Sequence, residues 1–188
     1  MFRLLLFLSL FPIALTMAAR WWFGLRVLAD ISGRPCRCDL ARWLPAPGDA
    51  SLVHHAEASA GEFGSQLRLK SLAQWQEQAP KSAASREHTR RFASIVPPLS
   101  GIVAVFAVLG AKIPVIGAIA ILLGATAVTT VMEILSLPSE LGAIARTARQ
   151  TREDKSFPHS DDEDAVIRCA AAHAWVASLP LILRALHR

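Results

Sequence analysis

Two apolar runs decide the fold: Phe92–Ala111 reads FASIVPPLSGIVAVFAVLGA, and Ile113–Met132 reads IPVIGAIAILLGATAVTTVM. Each run has twenty residues without a charge, and only Lys112 stands between them. At about 1.5 Å per helical residue, twenty residues reach roughly 30 Å, the thickness of a bilayer's hydrocarbon core. Because lipid cannot hydrogen-bond an open backbone, the runs are predicted to form a transmembrane helical hairpin that turns between Lys112 and Pro114.

Both ends of the chain are also apolar. Leu4–Ala19 follows a single arginine and is compatible with a cleaved signal peptide or a retained anchor. The cation and tryptophans that follow, Arg20-Trp21-Trp22, favour a retained anchor over residues 1–24, because such residues hold a spanning helix at the interface. Residues 165–188 are predicted to form a C-terminal span, and the alternative is an amphipathic helix lying on the hairpin.

The charge is distributed in a way that predicts sidedness. Basic residues are concentrated between the first and second spans and again after the third, whereas the hairpin turn carries only Lys112. By the positive-inside rule, the long segment and the 138–164 segment are predicted to be cytoplasmic, with the turn and both termini on the far side. The net charge of +5 then reflects orientation and contact with anionic lipid, and no motif points to a nucleic-acid partner.

The predicted fold class is all-α, an integral membrane protein with about four transmembrane helices and an interfacial amphipathic segment. A hydrophobic fraction of 53% agrees with this class, and three cysteines without framework spacing argue against a disulfide-stapled module. The chain is predicted to divide into five parts. These are the anchor (1–24), a cytoplasmic or interfacial helical segment (25–91), the hairpin (92–137), a cytoplasmic amphipathic segment (138–164) and the last span (165–188). Within 25–91, one or two helices are predicted, broken near Gly61 and Gly64.

Four residues are candidate metal ligands: His54, His55, Glu57 and Glu140. A helical zinc-peptidase site needs two histidines four residues apart on one face, and none of the six histidines forms such a pair. Adjacent histidines on a helix point about 100° apart. The spacing therefore favours a polar role for His54 and His55 over zinc ligation.

Other residues are candidates for helix association or for the membrane interface. Glu133 directly follows the third apolar run, where a carboxylate needs water, a cation or a partner helix, although an ordinary position in the headgroup layer is equally compatible. Small residues on the hairpin allow close helix approach, namely Gly101, Gly110, Gly117 and Gly124. The interface candidates are Trp21, Trp22, Arg146, Arg149 and Arg152.

Two segments carry a resemblance to a known family. Glu133–Ala143, which reads EILSLPSELGA, resembles the segment that follows the membrane hairpin in the YugP-type neutral zinc metallopeptidases of bacterial membranes. Ala170–Ala177, which reads AAAHAWVA, is similar to that family's final span. The family's histidine-glutamate-x-x-histidine helix precedes its hairpin, and this chain instead has His54-His55-Ala56-Glu57. The resemblance leaves only Glu140 matching a remaining zinc-ligand position.

The resemblance implies a protein of the bacterial cytoplasmic membrane that keeps a metallopeptidase scaffold without its hydrolytic apparatus, a pseudoenzyme. Such a protein is expected to act as a binding or regulatory component, with the bilayer and a membrane-protein partner or a second copy as partners, and without a cofactor. One alternative is an active zinc metallopeptidase with unconventional ligands, for which zinc would be the cofactor. The other is a lipid-interacting structural protein without peptidase ancestry.

Overall fold

The structure is a computed structural model that describes residues 2–39, 42–43 and 56–178. The predicted metal ligands His54 and His55, and residues 179–188 of the predicted last span, lie outside these ranges. The described part is mainly helical. The helices are α1 (Phe2–Arg20), a π-helical turn (Trp21–Leu25), α2 (Arg26–Ile31), α3 (Ala60–Gln78), α4 (Pro80–Leu109), α5 (Val115–Glu153) and α6 (Ser160–Ala177).

Three of the described helical stretches are long and apolar enough to cross a membrane: Leu6–Ile31, Pro80–Leu109 and Val115–Glu153. Their large apolar side chains point outward, opposite to the pattern of a water-soluble bundle. Phe7 is 73% exposed, Phe106 69% and Leu135 75%. A monomeric soluble protein rarely exposes so much contiguous apolar surface. The described residues therefore have the character of an integral membrane protein.

The chain divides into two compact units, and each is described by itself. The hairpin unit holds residues 2–19, 85–136 and 178 among those described, and the core unit holds residues 20–84 and 137–177. Helix α5 contributes to both, because it continues without a break past residue 137, where the sequence placed a boundary. Pro138 lies inside this helix.

In the hairpin unit, α4 ends at Leu109 and α5 begins at Val115, directly after the predicted turn. Ala111 takes a left-handed conformation with φ of 52°, and the Lys112 amide donates to the Ala107 carbonyl at 3.0 Å. Helix α1 packs on α5 through Ile13, which joins Leu123 and Ala127 in a small apolar cluster. The described part of this unit is thus a hairpin with α1 along its second helix.

The core unit is built on the crossing of α3 and α6. Phe63 and Leu67 of α3 are buried together with Val166 and Cys169 of α6 in its main hydrophobic cluster. A short antiparallel ribbon borders this core, with β1 (Pro35–Arg37) pairing with β2 (Glu57–Ser59). The all-α prediction is therefore right for most of the fold but omitted this ribbon, because two three-residue strands leave no readable alternation of apolar residues.

Helix α3 runs unbroken through Gly61 and Gly64, so the predicted helix break is wrong. The helix begins with a capping box: the Glu62 amide donates to the Ser59 hydroxyl at 3.2 Å, and the Ser59 amide donates to the Glu62 carboxylate at 3.2 Å. This box stabilises the first turn, where glycine alone would weaken it.

The count of about four spans is not confirmed. Helix α6 covers residues 160–177, and its apolar face, including Val166, Cys169 and Ala170, is buried in the core unit. Its other face begins with Asp161, which is exposed. Within the described residues, α6 is thus an amphipathic core helix, and its apolar run reflects burial against α3.

Candidate functional site

The centre of the core unit is a very close approach of two helix backbones. A Cβ placed on Gly64 of α3 would lie 2.5 Å from the Cβ of Cys169 and 2.9 Å from the backbone nitrogen of Ala170. Real Cβ atoms do not approach so closely, so only glycine fits at this crossing. The contact fixes the position of α3 and hence of the polar side chains that follow Gly64 along the helix.

One turn after Gly64, Arg68 forms a buried ion pair with Glu140 of α5. The Nε and Nη2 atoms of Arg68 donate to Oε1 of Glu140 at 2.8 Å and 2.7 Å. The side chain of Glu140 is only 1% exposed and that of Arg68 is 16% exposed. Charge-assisted hydrogen bonds of this length are about twice as strong as neutral ones. A buried carboxylate held this way is satisfied, and it is strongly dependent on its cation.

His173 of α6 lies against the start of α3, within reach of the charge of Arg68. Its Nε2 lies 3.1 Å from the carbonyl oxygen of Gly61. Burial lowers the pKa of His173, the Gly61 carbonyl opposes that shift, and the charge of Arg68 adds to it. The neutral ring is therefore favoured, and in that form Nε2–H donates to the Gly61 carbonyl. This hydrogen bond links α6 to α3.

The structure describes two of the four candidate metal ligands, Glu57 and Glu140. Glu140 is bound by Arg68, and Glu57, on the exposed ribbon, receives the guanidinium of Arg37. No group of three or more histidine, cysteine, aspartate or glutamate side chains with the arrangement of a metal site occurs among residues 2–39, 42–43 and 56–178. Catalytic zinc takes three protein ligands, and the described donor set does not supply them.

Glu133 is buried in the hairpin unit, only 3% exposed. The buried guanidinium of Arg86 on α4 donates from Nη1 to the Glu133 carbonyl oxygen at 2.9 Å and to the Ser136 hydroxyl. Sequence reasoning named Glu133 but missed Arg86. Arg86 precedes the facing apolar run by six residues, and its contact with α5 goes to a backbone carbonyl, which residue types alone do not reveal. The contact joins the first part of α4 to the middle of α5.

The four glycines predicted to allow helix association all belong to the hairpin unit. A Cβ on Gly101 would lie 3.4 Å from the Leu122 side chain, and one on Gly124 would lie 3.8 Å from the Ser9 hydroxyl. Gly110 is in the turn, and Gly117 is buried in the first turn of α5. Gly101 and Gly124 thus help the described helices approach one another.

The interface candidates differ in their surroundings. Trp21 and Trp22 are more than half exposed in the π-helical turn, and the Arg26 guanidinium lies 4.6 Å from the ring centroid of Trp22. Such an exposed aromatic pair with a cation is typical of a membrane-interface belt. Arg146 and Arg149 are exposed, whereas Arg152 forms ion pairs with Glu163 and Asp164 of α6.

A cleft of about 760 Å³ opens beside the ribbon and the start of α6. Its charged lining is mixed: Arg42 lies 3.4 Å from Asp39, and Arg152 lies 3.1 Å from Glu163. Sequence reasoning did not find it, because its walls come from segments more than one hundred residues apart. Its paired charges suit recognition of another polar surface better than capture of a single anion.

All three cysteines are buried in the core unit. Burial, with a smaller contribution from Cys36, raises the pKa of the Cys169 thiol to about 11. Burial also raises the pKa of Cys36 and Cys38. These thiols stay protonated near neutral pH, which does not suit a nucleophile.

The raised pKa of Cys169 predicts a loss of stability in alkali. The unfolded thiol ionises near its ordinary pKa of 9.0 and the folded one near 11, so the stability present below pH 9 is lost as the pH rises towards 11. By about pH 10.5 the loss from this thiol reaches roughly 2 kcal/mol. Circular dichroism melting at pH 8 and pH 10.5 measures this loss. The melting temperature of Cys169→Ala is expected to fall less between the two pH values than that of the wild type. An equal alkaline shift in both proteins would contradict the assignment.

No family model, no curated protein and no solved structure matches this chain.

Proposed function

We propose that this chain is a noncatalytic binding or regulatory scaffold of the bacterial cytoplasmic membrane, derived from a zinc metallopeptidase that has lost its metal centre. The observation that supports this most directly is the Arg68–Glu140 ion pair. Glu140 is the one residue that matches a zinc-ligand position of the resembled family, and its Oε1 accepts two hydrogen bonds from a guanidinium.

The physical reason is competition between cations for one carboxylate. A zinc ion on Glu140 would compete with Arg68 for the carboxylate charge, and the guanidinium beside the incoming ion would repel it. Breaking a buried ion pair by removing one partner typically destabilises a protein by about 3–5 kcal/mol. The Arg68 guanidinium offers donors and no acceptor, so it cannot help to hold a cation. The pair therefore works against metal binding and stabilises the α3 to α5 contact without metal.

The topology in this proposal has three spans. Residue Lys112 in the hairpin turn lies on the far side, and the two segments of the core unit, 20–84 and 137–177, lie on the cytoplasmic side. The basic residues of those segments support this orientation through the positive-inside rule. Helix α6 counts as a core helix over residues 160–177, so the fourth span is not part of the proposal.

The binding role draws support from two surfaces. The cleft in the core unit presents paired charges of both signs, which suits a polar protein surface. The exposed apolar side chains of the hairpin unit, such as Phe106, offer contact to lipid or to a helix of a partner or a second copy. No described residue of either surface is an activated nucleophile.

We expect the protein purified in detergent, with zinc present during purification, to hold substoichiometric zinc and to show no hydrolysis of an unfolded casein substrate. His55→Ala and Glu140→Ala are expected to leave both results unchanged, because neither residue holds metal. Inductively coupled plasma mass spectrometry measures the zinc. A photocrosslinker at Phe106 in cells is expected to capture a reproducible protein neighbour.

An active zinc peptidase of known type serves as the control for loading and assay. Stoichiometric zinc and hydrolysis in the wild type would establish the active-peptidase alternative and overturn the proposal. Loss of both in His55→Ala or Glu140→Ala would assign that residue as a ligand, provided that the variant still melts cooperatively. Crosslinks from Phe106 that reach lipid alone would instead favour the structural lipid-interacting alternative.

A further inference from the structure

The turn half of the hairpin contains an apolar groove of about 300 Å³ between α4 and α5. Its floor and walls include small and aliphatic residues of both helices: Gly101, Ala104 and Val108 from α4, and Val115, Ala118 and Leu122 from α5. The groove lies wholly within the hairpin unit. Its lining residues carry no hydroxyl, amide or charged side chain.

The size of the groove selects its occupant. From Gly101 to Leu109 the groove follows α4 for about 12 Å, so its mean cross-section is roughly 25 Å². A helix with side chains is about 10–12 Å across, which corresponds to a cross-section of roughly 80 Å² or more. The groove is therefore too narrow to enclose a helix and wide enough for one polymethylene chain.

The charge at the end of the groove selects the kind of chain. Leu109 and Val115 bring the groove to the turn, where Lys112 is exposed and its Cγ would lie 3.9 Å from a Cβ on Gly110. Lys112 is the single charged residue between Phe92 and Met132. A lysine at the interface attracts an anionic headgroup by about 1 kcal/mol.

We infer that this groove is a binding site for one acyl chain of an anionic phospholipid, whose phosphate pairs with Lys112 at the hairpin turn. The aliphatic walls contact the chain, and the lysine favours an anionic over a zwitterionic headgroup. This site does not depend on whether the core unit binds zinc, since none of its residues belongs to that unit.

The experiment uses the full chain reconstituted in nanodiscs of equimolar phosphatidylglycerol and phosphatidylcholine, then released into mild detergent. Native mass spectrometry counts the retained lipids. The wild type is expected to keep one phosphatidylglycerol per chain with a preference of roughly fivefold over phosphatidylcholine. Ala118→Phe fills the groove and is expected to abolish retention. Lys112→Gln is expected to keep one lipid but to lose the headgroup preference.

Val103→Phe is the matched control, because Val103 is exposed on α4 outside the groove and should retain lipid as the wild type does. Val108→Phe repeats the test from the opposite wall in case Ala118→Phe does not fold. Unchanged retention in both filled variants would overturn the inference. So would a wild-type dimer without bound lipid that both variants convert to monomer, since a second copy would then be the occupant.

Discussion

Gly64→Ala is expected to destabilise the core unit by about 1–3 kcal/mol, although alanine is normally the better helix residue by about 1 kcal/mol. The added Cβ would lie 2.5 Å from the Cβ of Cys169 and 2.9 Å from a backbone nitrogen, so α3 and α6 must move apart. Melting followed with a thiol-reactive fluorophore measures the effect, because the chain's three cysteines are all buried in this unit. A drop of about 5 °C or more is expected.

Gly142→Ala supplies the matched control. It lies in the core-unit part of α5, and a Cβ there meets only the end of the Arg146 side chain, at 3.8 Å. The same substitution should therefore raise the melting temperature slightly, through helix propensity alone. If both variants melted higher than the wild type, the close approach of α3 and α6 would be incorrect.

Arg68→Met is expected to destabilise the core unit by about 3–5 kcal/mol, because it leaves the Glu140 carboxylate buried without its cation. Glu140 is 1% exposed, so water cannot replace the guanidinium without opening the structure. The expected readout is a fall of roughly 15 °C in the same thiol-reactivity melt, or loss of the folded unit.

The double variant Arg68→Met with Glu140→Met tests whether the pair acts as a unit. Replacing both charges with apolar side chains of similar volume is often nearly neutral, so the double variant should recover most of the lost stability. Arg37→Met is the control, since its partner Glu57 is exposed and such surface pairs contribute about 1 kcal/mol or less. A single Arg68→Met variant no less stable than Arg37→Met would refute the argument.

The sequence was most informative about the helices that face lipid. The uncharged runs on either side of Lys112 predict two long helices and their turn, because a membrane span needs a fixed length and excludes charge. The structure confirms that α4 ends at Leu109 and α5 begins at Val115. This signal is local, so one sequence is enough to find it.

The core unit was harder to predict because its determinants are not local. The apolar run of α6 is long enough to read as a span, and only its packing on α3 shows that its face is buried in protein. Gly64 reads as a helix break in sequence, whereas it is required by a helix crossing formed with Cys169, more than one hundred residues away. The role of Arg68 has no local signal either, because its partner Glu140 lies 72 positions further on.

The π-helical turn at Trp21–Leu25 changes the direction in which the side chains of α2 point. A π-turn accommodates one residue more than an α-turn, which offsets everything downstream by about 100° around the axis. Leu28, which packs on the main cluster of the core unit, therefore owes its position around the helix axis to a single inserted residue. Deleting one residue from Trp21–Leu25 would restore a regular α-helix and rotate Leu28 by about 100° relative to Trp21, so the spacing there is as constrained as the residue types.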